Sequence, residues 1–262
     1  MIADYHMHTC FSDDSVYPME DVIRKAISLG LQEICFTEHV DHGVKTDDNC
    51  DYPAYVKEFE RCRGIYGDRI RLRLGIEFGM QVHTIGQFQE DFDAYAFDFV
   101  ILSCHQVGDK EFWTKEFQKG KSQKEYNEKY YEEILEVIKV YKDYSVLGHL
   151  DMIKRYDDEG EYPFEKVEPL IREILETVIR DGKGIEVNTS SFRYGLDDLT
   201  PSTDILKLYK SLGGNIITIG SDSHAESHLG YKIGEVQKIL KGLGFESFHT
   251  FSGMVPEEVA IL

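Results

Sequence analysis

Seven short apolar runs rich in β-branched and aromatic residues recur along the chain, at about 2–6, 33–37, 71–77, 99–104, 145–148, 184–188 and 216–220. Segments with helical periodicity lie between them. Residues 18–29 carry Val22, Ile23, Ala26 and Ile27 on one helical face, with Pro18 near the start and Gly30 past the end. Leu170, Ile171, Ile174, Leu175, Val178 and Ile179 form a second stripe, and 122–142 a longer third helix. Strand and helix in alternation predict an α/β chain with a mostly parallel sheet under covering helices. A length of 262 residues suits one barrel-like domain spanning 1–262, and no linker, repeat or low-complexity tract divides it.

Ligand-type side chains stand at or just past the C-terminal end of nearly every run. His6 and His8 end the first, Glu38 and His39 the second, Glu77 the third and His105 the fourth. His149 and Asp151 end the fifth, and Asp222 and His224 follow the seventh. In a barrel of parallel strands these ends meet on one face, where active sites sit. Two residues apart, His6 and His8 project to the same side of a strand, and Asp222 and His224 repeat that spacing. Imidazole and carboxylate together suit zinc, manganese or iron.

The charge balance narrows the partners. Lys plus Arg number 29 against 48 Asp plus Glu, a formal charge of −19 that opposes nucleic acid and anionic membrane surfaces. A phosphorylated substrate would be repelled as well, unless bound cations reverse the local field. Five cysteines with no CxxC pair fit reduced thiols, and no secretory leader or bilayer-length apolar stretch is present, so a cytoplasmic location is expected.

Six segments in order, Asp4-Tyr-His-Met-His8, Thr37-Glu-His39, Ile76-Glu77, Ser103-Cys-His105, Gly148-His-Leu-Asp151 and Gly220-Ser-Asp-Ser-His224, resemble the successive motifs of the polymerase and histidinol phosphatase (PHP) family. The resemblance implies a distorted (β/α)7 TIM-like barrel holding two or three divalent cations. It assigns His6, His8, Glu77 and Asp222 to the first cation, with Glu77 bridging to a second held by His105 and His149. A third would take His39, His224 and an aspartate from the loop after the first strand. Asp13 and Asp14 compete for that place, with Asp14 favoured. Within the family, the segments following His8, Phe36 and His105 look like those of stand-alone histidinol-phosphate phosphatases. The implied reaction is hydrolysis of L-histidinol phosphate to L-histidinol and inorganic phosphate in histidine biosynthesis. Another small phosphate ester or a nucleotide is the alternative substrate, and a metal-dependent binding or regulatory module the non-enzymatic reading. The oligomeric state is open.

For that chemistry Asp222 is expected to handle the proton of the attacking water. Arg155 and Arg193, in loops after the fifth and sixth runs, are candidate phosphate clamps through paired donors. His42 and His228 are candidates to contact the substrate or protonate the leaving group. Asp151 is read as a ligand or as the orienting partner of a ligand histidine. His83 and His249 are read as structural, and Trp113, Phe112 and Phe117 as loop packing.

Overall fold

The computed structural model describes residues 1–44 and 49–261, so part of the loop expected over 40–51 lies outside the described residues. Among the described residues the main sheet has seven strands in sequence order: β1 (Ala3–Asp4), β2 (Glu33–Val40), β3 (Arg71–Gly79), β4 (Phe99–Ser103), β5 (Val146–Leu147), β6 (Gly184–Asn188) and β7 (Ile217–Gly220). Every neighbouring pair is parallel. The first strand returns onto the last: Tyr5 N donates to Ile219 O at 3.0 Å and His8 N to Ser223 O at 2.8 Å. A nearly closed (β/α)7 barrel results, as the family resemblance implies, and its sheet is parallel, as the alternation of runs predicts.

The helices are α1 (Met19–Ser28), α2 (Tyr52–Tyr66), α3 (Ile85–Ala94), α4 (Gln123–Val140), α5 (Phe164–Arg180), α6 (Thr203–Ser211) and α7 (Ile233–Gly242). Each of the three predicted stripes lies on one of them. Met19, Val22, Ile23 and Ala26 of α1 are buried, and Glu20 and Asp21 lie in its first turn, where the helix dipole favours carboxylates. Ser122 and Glu125 close a capping box at the start of α4. Along α5, Val167, Ile171, Ile174, Leu175 and Val178 face inward.

One element was not expected. The chain ends in an antiparallel hairpin, β8 (Ser247–Ser252) and β9 (Val255–Ala260). Its turn places Gly253 and Met254 at φ 55° and 66°, the pair of positive values that a tight two-residue hairpin needs. Phe248 and Phe251 are buried, and the Phe251 ring packs tilted against Phe99 with centroids 5.0 Å apart. The Tyr5 hydroxyl accepts from Phe251 N at 2.8 Å and donates a hydrogen bond to the buried Glu33 at 2.5 Å. Arg73 also reaches Glu33, at 2.8 Å. These bonds attach the hairpin at the strand N-termini, the end of the barrel away from the histidines.

Candidate metal centre

Strand ends that lie far apart in sequence converge on Glu77, which is fully buried at the end of β3. Its Oε2 lies 3.1 Å from His6 Nε2, 3.5 Å from His8 Nε2 and 2.9 Å from His39 Nδ1. The other oxygen, Oε1, lies 2.9 Å from His149 Nε2 and 3.3 Å from His105 Nε2, and accepts from Ser103 Oγ at 2.6 Å. One carboxylate is thus shared by five imidazoles. His8 stacks against both His39 and His224, with ring centroids 4.0 and 4.1 Å away. Asp222 Oδ1 stands 3.7 Å from both His6 Nε2 and His8 Nε2.

The loop after β1 completes one side. Asp14 Oδ2 lies 3.1 Å from His224 Nε2 and 3.6 Å from His39 Nε2. Asp13 instead lines a separate surface hollow with Cys10 and Asp51. Of the two competing aspartates, Asp14 is the one facing the histidines.

Donor chemistry and burial both fit cations. Among the described residues, four groups of ligand atoms fall within 4.8 Å of one another at this end: His8, His39 and His224; His6, His8 and Asp222; His6, His149 and Glu186; and His39, Glu77 and His105. His8 Nε2 is buried with no hydrogen-bond partner, and His39 Nδ1 is close to Glu77 without the alignment of a hydrogen bond. Bare, desolvated imidazole nitrogens around carboxylates are costly in a dry core and well used as ligands.

The side chains perturb one another strongly. Burial works against a charged His6, but Glu186, Glu77 and Asp222 outweigh it and hold its pKa well above the ordinary value. His39 is raised in the same way by Glu77 and Asp14 against burial. Burial also opposes charge on His105, yet Asp41 and Glu77 push it up to about 9. Burial alone would raise Glu77, and the imidazoles of His6, His39 and His105 pull it well below the carboxylate range. Asp222 is lowered likewise by His6, His224 and Arg155 against burial.

A second layer of carboxylates stands behind the histidines, and sequence reasoning gave it no role. Glu186 Oε1 lies 2.5 Å from His6 Nδ1, and its Oε2 accepts from His149 N at 2.8 Å. Asp41 Oδ1 lies 2.8 Å from His105 Nδ1. Such partners fix ring orientation and leave the opposite nitrogen for a ligand bond. Glycine makes room for them: a Cβ on Gly220 would come within 2.5 Å of Glu186 Oε1, and one on Gly79 within 2.6 Å of His105 Nδ1. A charged residue inside the short run Gly184-Ile-Glu-Val-Asn188, which folds as the wholly buried β6, was the available signal for Glu186.

The substrate-side expectations divide. Arg155 lines the cavity above the cluster; its Nη2 donates to Ser190 Oγ at 2.6 Å, while its Nε is buried without a partner. Arg193 is not among the cavity-lining residues. Its two terminal nitrogens donate to Ser221 O and Asp222 O at 2.7 and 2.8 Å, so the guanidinium clamps backbone where a phosphate clamp was expected. His42 also falls outside the lining: its Nε2 lies 2.6 Å from Asp91 Oδ2 and its ring packs on Phe88 at 4.6 Å. The Asp91 partner comes from α3. His228 does not line the cavity either. Asp151 orients no histidine; its Oδ2 accepts from Lys154 Nζ and Ser202 N, both at 2.8 Å. Trp113, expected as loop packing, is 38% exposed and lines the cavity, while Phe112 and Phe117 are buried as expected. His83 pairs with Asp109 at the surface, and His249 accepts from Ile217 N at 3.4 Å. The cavity itself measures about 270 Å³, with Met152, Tyr156 and Tyr194 completing its wall.

The PHP domain matches residues 4–190 of this chain. The chain belongs to that family. Among PHP relatives, a histidinol-phosphatase of Lactococcus lactis is 34% identical over 260 residues, covering 96% of this chain and 94% of that protein. A Clostridium acetobutylicum protein named as a probable histidinol-phosphatase is 31% identical, covering 92% and 93%. A solved structure of the Lactococcus lactis histidinol phosphate phosphatase, complexed with zinc, L-histidinol and phosphate, superposes with a TM-score of 0.87 at 34% identity and covers 98% of both chains. Among the described residues, no helix of this PHP chain is long and apolar enough to cross a membrane.

Proposed function

We propose that the chain is a histidinol-phosphatase, hydrolysing L-histidinol phosphate to L-histidinol and inorganic phosphate as a cytoplasmic step of histidine biosynthesis. The observation that carries this reading is the full-length likeness to the Lactococcus lactis enzyme, whose structure holds zinc, L-histidinol and phosphate.

In this reading one cation is held by His6, His8, Glu77 and Asp222, and a second by Glu77, His105 and His149. A third is held by Asp14, His39 and His224. Cations bound there would neutralise charge at the phosphoryl oxygens and lower the pKa of water. The protein's own groups do the rest. Asp222, ionised beside His6, His224 and Arg155, accepts the proton of the attacking water. Arg155, with a buried unpartnered Nε at the cavity wall, pairs with a phosphoryl oxygen. Trp113, Met152, Tyr156 and Tyr194 line the space for the leaving group, and about 270 Å³ suits a small ester.

Comparing kcat/KM across small phosphate esters and nucleotides tests the substrate. Histidinol phosphate should lead the panel by about 10², the scale of discrimination that the shape of an apolar-walled pocket provides. A nucleotide or sugar phosphate turning over more efficiently would overturn the assignment.

A further inference from the structure

We propose that Glu38 is a positioning residue for the metal centre, acting through the Ser12 hydroxyl to fix the tautomer of His8. The consequence for cation binding rests on the cluster reading above; the tautomer follows from hydrogen bonds alone.

Glu38 is fully buried on β2, next to His39 in sequence, yet it makes no hydrogen bond to any proposed ligand side chain among the described residues. Three donors reach it instead, all from the loop that follows β1. Thr9 N donates to Oε2 at 2.9 Å, the Thr9 hydroxyl to Oε1 at 2.7 Å and the Ser12 hydroxyl to Oε2 at 2.6 Å. A carboxylate has only lone pairs to offer, so it takes the one proton that the Ser12 hydroxyl can give.

Ser12 Oγ has two further neighbours. The backbone N–H of His39 donates to it at 3.0 Å, and His8 Nδ1 lies 3.1 Å away. With its proton committed to Glu38, the serine oxygen can only accept from His8. Nδ1 therefore carries the imidazole proton and Nε2 is bare. That Nε2 is the buried atom without a hydrogen-bond partner, 3.5 Å from Glu77 Oε2 and 3.7 Å from Asp222 Oδ1. A bare nitrogen is the form that ligates. His6 and His105 have a carboxylate directly behind them, whereas His8 has a hydroxyl, which can give or accept a proton. Glu38 removes that ambiguity.

The test reads the His8 tautomer from ¹⁵N chemical shifts of labelled histidine in zinc-free protein, with the signal assigned by its loss in His8→Gln. The unaltered protein should show the proton on Nδ1. Glu38→Met removes the acceptor, frees the Ser12 proton to turn toward His8 Nδ1, and shifts the population to the Nε2–H form. Zinc binding should then weaken about 10–100-fold. Glu38→Gln should restore the Nδ1–H form, because its amide oxygen can accept from Ser12 while its NH₂ faces the Thr9 hydroxyl oxygen. Thr9→Val removes one of the three loop donors to Glu38 and spares the bond to Ser12, so the tautomer should hold. If Glu38→Met does not fold, Ser12→Ala tests the same chain and should give a mixture of both tautomers. An Nε2–H form in the unaltered protein, an unchanged tautomer in Glu38→Met or Ser12→Ala, or an equal shift in Thr9→Val would overturn the proposal. Zinc uptake by the unaltered protein tests the cluster reading separately, because the tautomer is read without zinc.

Discussion

His6 Nδ1 and Glu186 Oε1 lie 2.5 Å apart, with both side chains buried at the heart of the barrel. The same glutamate accepts from the backbone N–H of His149, so one side chain on β6 holds elements that present ligands to both oxygens of Glu77. Glu186→Gln keeps the shape and removes the charge that keeps a proton on Nδ1. Zinc affinity should fall by about 10–100-fold, measured by competition with a calibrated chelator. Unchanged affinity would reduce Glu186 to a packing role.

The two arginines separate in a paired experiment. Arg155 faces the cavity and makes side-chain bonds there, whereas Arg193 holds the carbonyls of Ser221 and Asp222. Asp222 has φ 54°, the left-handed region in which a non-glycine residue is strained and must be held by its surroundings. Arg155→Ala should lower kcat by about 10²–10³ at normal zinc content. Arg193→Ala should lower zinc content as well as turnover, since a relaxed Asp222 no longer faces His6 and His8. Metal analysis beside steady-state kinetics decides whether the two losses differ in kind.

Cation uptake should depend on pH with a definite sign. Against the opposing effect of burial, neighbouring carboxylates hold His6 and His39 well above the ordinary histidine pKa and push His105 up to about 9. At neutral pH these rings therefore retain protons that a cation must displace. Zinc affinity should fall as pH is lowered from about 9 toward the ordinary histidine range near 6.5. Calorimetry in buffers of different ionisation enthalpy should show protons released on binding; no buffer dependence would contradict the coupling.

Stability and activity should separate at the other end of the barrel. Phe251→Ala empties a buried site against Phe99 and should cost about 3–5 kcal/mol, read as a lower urea midpoint. kcat of the folded enzyme should be unchanged, because the hairpin packs on the strand N-termini. A large fall in kcat with an unmoved midpoint would mean that the hairpin communicates with the cluster.

The barrel strands and the converging side chains were legible because short apolar runs ending in His, Asp or Glu announce both a parallel sheet and the face its active site occupies. Direction was not. Arg155 and Arg193 both follow strand ends, yet one turns to the cavity and the other to backbone carbonyls, a choice made by tertiary contacts with Ser190 and with residues 221–222. His42 meets Asp91, a partner 49 residues away that no local spacing announces. Glu186 and Asp41 have no spacing signature, since a carboxylate behind an imidazole can come from any neighbouring strand. The hairpin escaped notice because β9, with Pro256, Glu257 and Glu258 exposed, lacks the apolar alternation of a buried strand.

Metal removal tests the central claim most directly. The protein should be stripped of metal exhaustively, assayed with L-histidinol phosphate, and assayed again after adding zinc, manganese or iron. The account predicts that the stripped protein releases no phosphate above background and that restoring the cation restores turnover. Native-rate hydrolysis by the stripped protein would contradict it.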